Sequence, residues 1–170
     1  MDDWTYCVQT LPKVSRTFAL NISVLRGTLH RSILTAYLFC RIVDTVEDAA
    51  KLDPKIKIKL LMEFSRLIED RDFRDKNLTA WTDECKAVDG TPNDLDLLSQ
   101  VQRVFNVFDS LPENHQAQII PSVVKMAKGM AFFQSRFQFG EITPLATVQD
   151  LEEYCYFVAG VVGEMLCNLF

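Results

Sequence analysis

The sequence predicts an all-α protein. Glycine and proline number only six each, and the apolar residues recur at steps of three and four rather than in alternation, which is the period of a helix and not of a strand. The 170 residues and 19.5 kDa suit one compact unit, or part of a larger one. After an opening stretch that contains Pro12, one helix is predicted from about Leu29 to Ala50, carrying Ile33, Tyr37, Leu38, Ile42 and Thr45. Asp53-Pro54 reads as a helix cap followed by proline at the first helical position. It launches a helix with Ile56, Leu60, Leu61, Phe64, Leu67 and Ile68 that stops near Asp70. The polar run from Arg71 to Asp94 predicts connectors and a short helical piece around Trp81 to Ala87. Asn93 is expected to cap a helix bearing Leu97, Leu98, Val101, Val104, Phe105 and Phe108, closed by Ser110-Leu111-Pro112. Pro121 is expected to kink or divide the next helix, because proline removes a donor and clashes with the preceding turn. A segment from Ser122 to Phe139 follows, with Gly140 at its C-terminus and Pro144 in the connector. Thr147 is expected to cap a final, buried helix that runs to Phe170. An apolar helix ending without a cap gives the expectation that the natural polypeptide continues.

Composition narrows the function. Hydrophobic residues make up 48% and charged residues 24%, so neither disorder nor a membrane bundle is expected. With 18 basic against 23 acidic residues and no Lys/Arg cluster, nucleic acid is a poor partner. Five cysteines without a Cys-x-x-Cys pair, and two histidines, His30 and His115, without a motif, argue against a disulfide scaffold or a zinc site. Reduced, buried thiols fit a cytoplasmic protein.

The informative segment is AYLFCRIVDTVEDAA. At about 100° per residue, Tyr37, Arg41, Asp44 and Asp48 fall on one narrow stripe of the helix. Burying such groups without partners costs several kcal/mol, so the stripe is expected to line a wet or ligand-filled cavity. Asp44 and Asp48 stand one turn apart and can converge on a hard cation, with Glu47 beside them. Mg²⁺ fits this arrangement, since it keeps its waters and shares them with phosphate oxygens. The plainer alternative is a set of intrahelical surface pairs. In VSRTFALNI, Ser15, Arg16 and Thr17 are donors of the kind phosphate recognition uses, and Phe18 could cover an apolar tail; the alternative there is a helix N-cap with an exposed arginine. In YCYFVAGVVGEMLCNLF, Tyr154, Val158, Val161 or Val162, and Met165 or Leu166 form one face, while Ala159, Gly160 and Gly163 would let another backbone approach. A buried phenol at Tyr154 needs a partner.

Taken together, SRTFA at Ser15 to Ala19, YLFCRIVDTVED at Tyr37 to Asp48, GMAFF at Gly129 to Phe133, and the final segment from Tyr154 to Phe170 resemble the squalene/phytoene synthase family of head-to-head prenyl transferases. The DTVED form is closer to squalene synthases than to phytoene synthases. The resemblance implies an all-α prenyl-synthase fold around a central cavity, of which this chain would be the N-terminal part. It implies Mg²⁺, two molecules of farnesyl diphosphate or a longer homologue, closure of a cyclopropane and, where squalene is the product, hydride from NADPH. By the same resemblance, Asp44, Glu47 and Asp48 would hold the metal. Ser15, Arg16, Tyr37 and Arg41 would hold diphosphate, with Arg16 and Arg41 near the nicotinamide. Tyr154 would take part in proton removal, with Tyr37 also in the catalytic set, and Phe18, Val158, Val162 and Leu166 would shelter the isoprenoid. A greasy product makes peripheral membrane contact an expectation; no oligomeric state is implied. The family's second aspartate motif does not occur in the 170 residues, and neither Asp70, Asp72 and Asp75 nor Asp94 and Asp96 have its apolar context. The chain alone is therefore expected to lack full activity and to leave its apolar wall partly open. A phytoene synthase using geranylgeranyl diphosphate, or a non-catalytic scaffold member of the fold, are the alternatives.

Overall fold

A computed structural model describes residues 1–137 and 144–170; the helix end expected at Phe139 and Gly140 lies outside them. The described residues form ten α-helices and no strand: α1 (Asp3–Val14), α2 (Arg16–Ser23), α3 (Gly27–Asp48), α4 (Pro54–Glu69), α5 (Arg71–Glu84), α6 (Pro92–Ser99), α7 (Val101–Asp109), α8 (Glu113–Gln134), α9 (Val148–Cys155) and α10 (Val161–Leu169). A 3₁₀ turn, Cys85–Ala87, follows α5, and a π turn, Tyr156–Gly160, joins α9 to α10. The layers are built around α3, which packs on α1, α4, α7 and α8. Phe39 of α3 sits at the centre, with ring centroids 4.9 Å from Phe105, 5.3 Å from Phe108 and 5.9 Å from Phe64. These four rings are fully buried, and aromatic contacts of this geometry add to the area they remove from water.

The caps read from sequence form at Asp53, whose carboxylate accepts from the Lys55 amide at 2.8 Å, and at Thr147. There Thr147 and Asp150 make a reciprocal capping box. Elsewhere the structure departs from expectation for physical reasons. The polar run after Asp70 is a full helix, α5, capped by the Asp70 carboxylate. Its buried face is Arg74, Leu78 and Trp81, a helical stripe disguised by an arginine that is buried head and all and paired with an acid. Arg74 donates to Asp109 at 2.7 Å and lies 4.5 Å over Phe105, while the Trp81 indole N–H donates to the Leu60 carbonyl. The helix expected from Asn93 begins instead at Pro92, capped by Thr91, and breaks at Gln100 into α6 and α7. Pro121 does not divide α8, which runs unbroken for 22 residues. Pro121 and Ala117, whose carbonyl loses its partner, are both exposed, so water can satisfy that oxygen. The N-terminal stretch holds two further helices, α1 capped by Asp2 and α2 capped by Ser15.

The final segment was expected to be buried, and it is an edge. Among residues 148–170 only Val161, Met165 and Leu169 are buried, all on the face toward α8. Leu151 and Phe170 are exposed, as are the thiols of Cys155 and Cys167. A β-carbon on Gly163 would meet nothing, so that glycine admits no neighbour. Close approach occurs at Gly129 of α8, where a β-carbon would come within 2.2 Å of the Phe157 ring. No helix among the described residues is long and apolar enough to cross a membrane.

Gly129→Ala should therefore overpack the contact between α8 and the π turn at a cost of about 1–3 kcal/mol. Thermal unfolding followed by circular dichroism should show the loss, and Phe157→Ala in the same chain should return part of it. An unchanged midpoint for Gly129→Ala would contradict this packing.

Candidate functional site

Helix α3 is buried along its whole central length except on one side. From Ser32 to Glu47 every residue is buried but Tyr37, Arg41 and Asp44, which are half-buried, and Asp48 beyond them is exposed. These four are the stripe read from the sequence, so the one open face of the central helix is its polar line. The alternative of ordinary surface pairs fails at Arg41. Its Nε and Nη2 donate to the two carboxylate oxygens of Asp94 at 2.9 and 3.1 Å, not to the acids of its own helix.

The final segment runs antiparallel to α3 and faces the two ends of that stripe. At the Tyr37 end, Phe18 and Leu25 of the α2 region, Ile33 and Tyr37 of α3, and Val162 and Leu166 of α10 line an apolar cleft of about 230 Å³. The Phe18 and Tyr37 rings stack at 5.3 Å. Val158, expected in the same wall, packs against the core and is not among the residues that line this cleft. At the other end, Tyr154 sits edge-on to Phe133 at 5.3 Å. Burial pushes its phenol up to about 12, and the charges of Glu47, Asp48 and Asp44 add to that shift. Tyr154 thus belongs to the acidic end of the stripe. Burial raises the Tyr37 phenol as well, with Ser15, Arg41 and Asp44 as the polar groups acting on it.

The three acids are not equivalent. Asp44 is pushed up to about 7, by burial first and then by the like charge of Asp48, which Arg41 only partly offsets. Glu47 points inward: Gln134 at the end of α8 donates to its Oε1 at 2.7 Å, and the buried Lys57 ammonium donates to its main-chain carbonyl at 2.7 Å. Burial raises the Glu47 carboxyl, with the Gln134 bond and Lys57 pulling the other way. Asp94 pairs with Arg41 and Lys57 stands mainly against Glu47, so among the described residues most of the remaining negative charge of the stripe lies on Asp44 and Asp48. Among the described residues no group of three or more His, Cys, Asp or Glu side chains converges as a closed metal cage. Two open carboxylates one turn apart suit a cation that brings its own water and shares an anionic ligand.

Ser15 and Arg16 separate here. Ser15 caps α2, accepting from the Phe18 amide at 3.3 Å, and Arg16 is exposed, as the plainer alternative had it. Arg16 lines a different groove, of about 510 Å³, with Leu11, Leu20, His30 and Leu34, away from the cleft of Phe18 and Tyr37. Sequence reasoning missed three supporting residues: Asp94, Gln134 and Lys57. Each left a trace, being a polar residue on a helix face otherwise made of core side chains, as Gln134 is four residues after Met130 and Lys57 three before Leu60.

A profile of the squalene/phytoene synthase family matches residues 11–170. Squalene synthase 1 of Panax ginseng is 34% identical over 167 residues, covering 98% of this chain and 36% of the relative. A squalene synthase of Candida albicans is 36% identical over 167 residues, covering 96% and 34%. A solved structure, TcSQS in complex with the ligand BPH1237, superposes with a TM-score of 0.80 at 28% identity, covering 98% of this chain and 44% of that one. The chain spans about a third of the length of these relatives. The terpenoid-synthase-like helical fold is shared, the polar stripe and its facing helix lie inside the matched region, and the chain belongs to the squalene/phytoene synthase family.

Proposed function

We propose that the protein condenses two prenyl diphosphates head to head with Mg²⁺, farnesyl diphosphate giving squalene, and that this chain supplies the first carboxylate pair and one tail-binding wall. The observation that carries the reading is the polarity gradient along α3. Within about 16 Å, eleven residues at 1.5 Å each, the open face passes from Asp44 through Arg41 and Tyr37 to the apolar cleft at Ile33. A molecule with an anionic head and a hydrocarbon tail matches that sequence of environments, and the squalene synthases among the relatives favour the farnesyl substrate.

Asp44 and Asp48 would hold the metal, and Glu47, kept inward by Gln134, would brace Asp48 from behind. Mg²⁺, when bound, supplies the positive charge that a departing diphosphate needs. Arg41, whose Nη1 takes no part in the pair with Asp94, is placed to donate to a diphosphate oxygen. Tyr154 keeps its proton at neutral pH and can offer it to an anionic oxygen at the acidic end. Phe18, Val162 and Leu166 exclude water from the tail, and excluded water strengthens every charge contact at the head. The two arginines tied by resemblance to a nicotinamide face different grooves, so no step through that cofactor is derived. With one carboxylate pair among the described residues, the 170-residue chain alone binds substrate and turns over little or none.

Calorimetry of the chain with a non-hydrolysable farnesyl thiodiphosphate should show binding that requires Mg²⁺. Asp44→Asn and Asp48→Asn should each weaken it about tenfold or more, roughly 1.4 kcal/mol, while Asp83→Asn, an exposed residue paired with Lys86, should not. Metal-independent binding, or binding indifferent to both aspartates, contradicts the reading. The burial of Asp44, with the charge of Asp48 beside it, also sets a pH dependence without ligand. The folded chain holds the Asp44 proton more tightly than the unfolded chain does, because its pKa rises from 3.8 to about 7. That contribution to stability is complete at acid pH and is lost as pH climbs toward 7. The melting midpoint should fall between about pH 4 and pH 7, and Asp44→Asn should flatten the fall. An equally steep fall in the variant assigns it to other groups.

A further inference from the structure

We infer that Asp94, with the hydroxyl of Thr91, is a positioning residue that aims Arg41 at the anion held by the stripe. This rests on the diphosphate reading above. Asp94 lies 53 residues from Arg41 in sequence, on α6, which packs against α3. Both of its oxygens are committed: Oδ1 accepts from Arg41 Nε at 2.9 Å, and Oδ2 accepts from Arg41 Nη2 at 3.1 Å and from the Thr91 hydroxyl at 2.5 Å. Two parallel bonds fix the plane of a guanidinium as well as its place, which a lysine in the same position could not match.

The carboxylate is itself held. Thr91 is the N-cap of α6 and accepts from the Asp94 amide at 3.3 Å, so the acid sits in the first turn of a capped helix. Asp94 is 4% exposed, whereas the Arg41 side chain keeps 29% of its surface open. The buried partner anchors and the open partner reaches. Burial pushes the Asp94 carboxyl up, and the bonds from Arg41 and Thr91 outweigh it and hold the group below its ordinary value, so it stays charged. Buried ion pairs are poor stabilisers compared with packed apolar residues. A pair placed at the single open face of the central helix is better explained by what it orients. An arginine free to sample rotamers would lose that freedom on each binding event; one already fixed has lost it in folding.

The test is calorimetry of the chain with inorganic diphosphate and Mg²⁺ at a temperature where every variant is folded. Asp94→Asn should weaken binding about tenfold, and in an Arg41→Met background the same change should cost no more than about twofold, because the residue it positions is gone. Asp94→Glu should recover part of the loss. Asp109→Asn, which breaks the distant pair with Arg74, should lower the melting midpoint without moving the affinity. If Asp94→Asn does not fold, Thr91→Val, which removes one bond to the carboxylate, should weaken binding about threefold, and unchanged affinity in it overturns the inference. Unchanged affinity in Asp94→Asn, or an equal loss with and without Arg41, overturns the inference alone. A chain that binds no magnesium diphosphate in its unmodified form overturns the diphosphate reading and the inference with it.

Discussion

The burial of α3 on all sides but one is the constraint on which the rest depends. A helix sheathed by its neighbours cannot tolerate a guanidinium and two carboxylates on its packed faces, because each would need a partner in a medium where charge is poorly screened. The apolar residues of the segment, Leu38, Phe39, Ile42, Val43 and Val46, are all buried, and they fix the rotation of the helix about its axis. Once that rotation is set, the polar line has one place to go. The site is therefore a by-product of core packing: what holds Phe39 among Phe64, Phe105 and Phe108 also points Asp44 outward.

The neighbours of the stripe do different work on its two flanks. On one flank, α6 offers a buried acid that ties down a cation; on the other, α8 offers a buried amide that ties down an acid. Each removes one charge from the open face, and what remains there is the pair Asp44 and Asp48. Asp44 bears the cost, with its proton affinity raised by burial and by Asp48. Ligand-binding groups are commonly left in this condition, since a site whose charges are already satisfied has little to gain from a cation.

Much of this was legible in the sequence. The stripe follows from arithmetic at 100° per residue, and Asp53-Pro54 and Thr147 cap helices as their chemistry requires. What escaped was polar residues doing core work. Arg74 hid α5 because the whole side chain is buried, its guanidinium over Phe105 and paired with Asp109, and hydrophobic patterning counts arginine as surface. Asp94 looked like an ordinary first-turn acid, and only the fold brings it to Arg41. Ser15 and Arg16 are adjacent in sequence but serve different surfaces: Ser15, extended at the cap, turns its hydroxyl to the first turn of α2, while Arg16, the first helical residue, lies in the groove of Leu11 and Leu34.

The π turn explains why the final segment was ambiguous when read as a plain helix. Tyr154, Val158, Val162 and Leu166 are spaced by four, and in an unbroken α-helix three such steps drift by about 120°. That drift would carry Leu166 away from the face that holds Tyr154. The π turn at Tyr156–Gly160 accommodates one extra residue and takes back about 100° of it. The choice between Val161 and Val162 is settled in the same way: Val161 goes into the core against α8, and Val162 lines the cleft with Leu166. Gly129 lets Phe157, within that turn, lie against α8 where any β-carbon would forbid it. A single inserted residue thus keeps one helix in register with both ends of the stripe, the phenol beside the acids and the aliphatic side chains over the tail cleft.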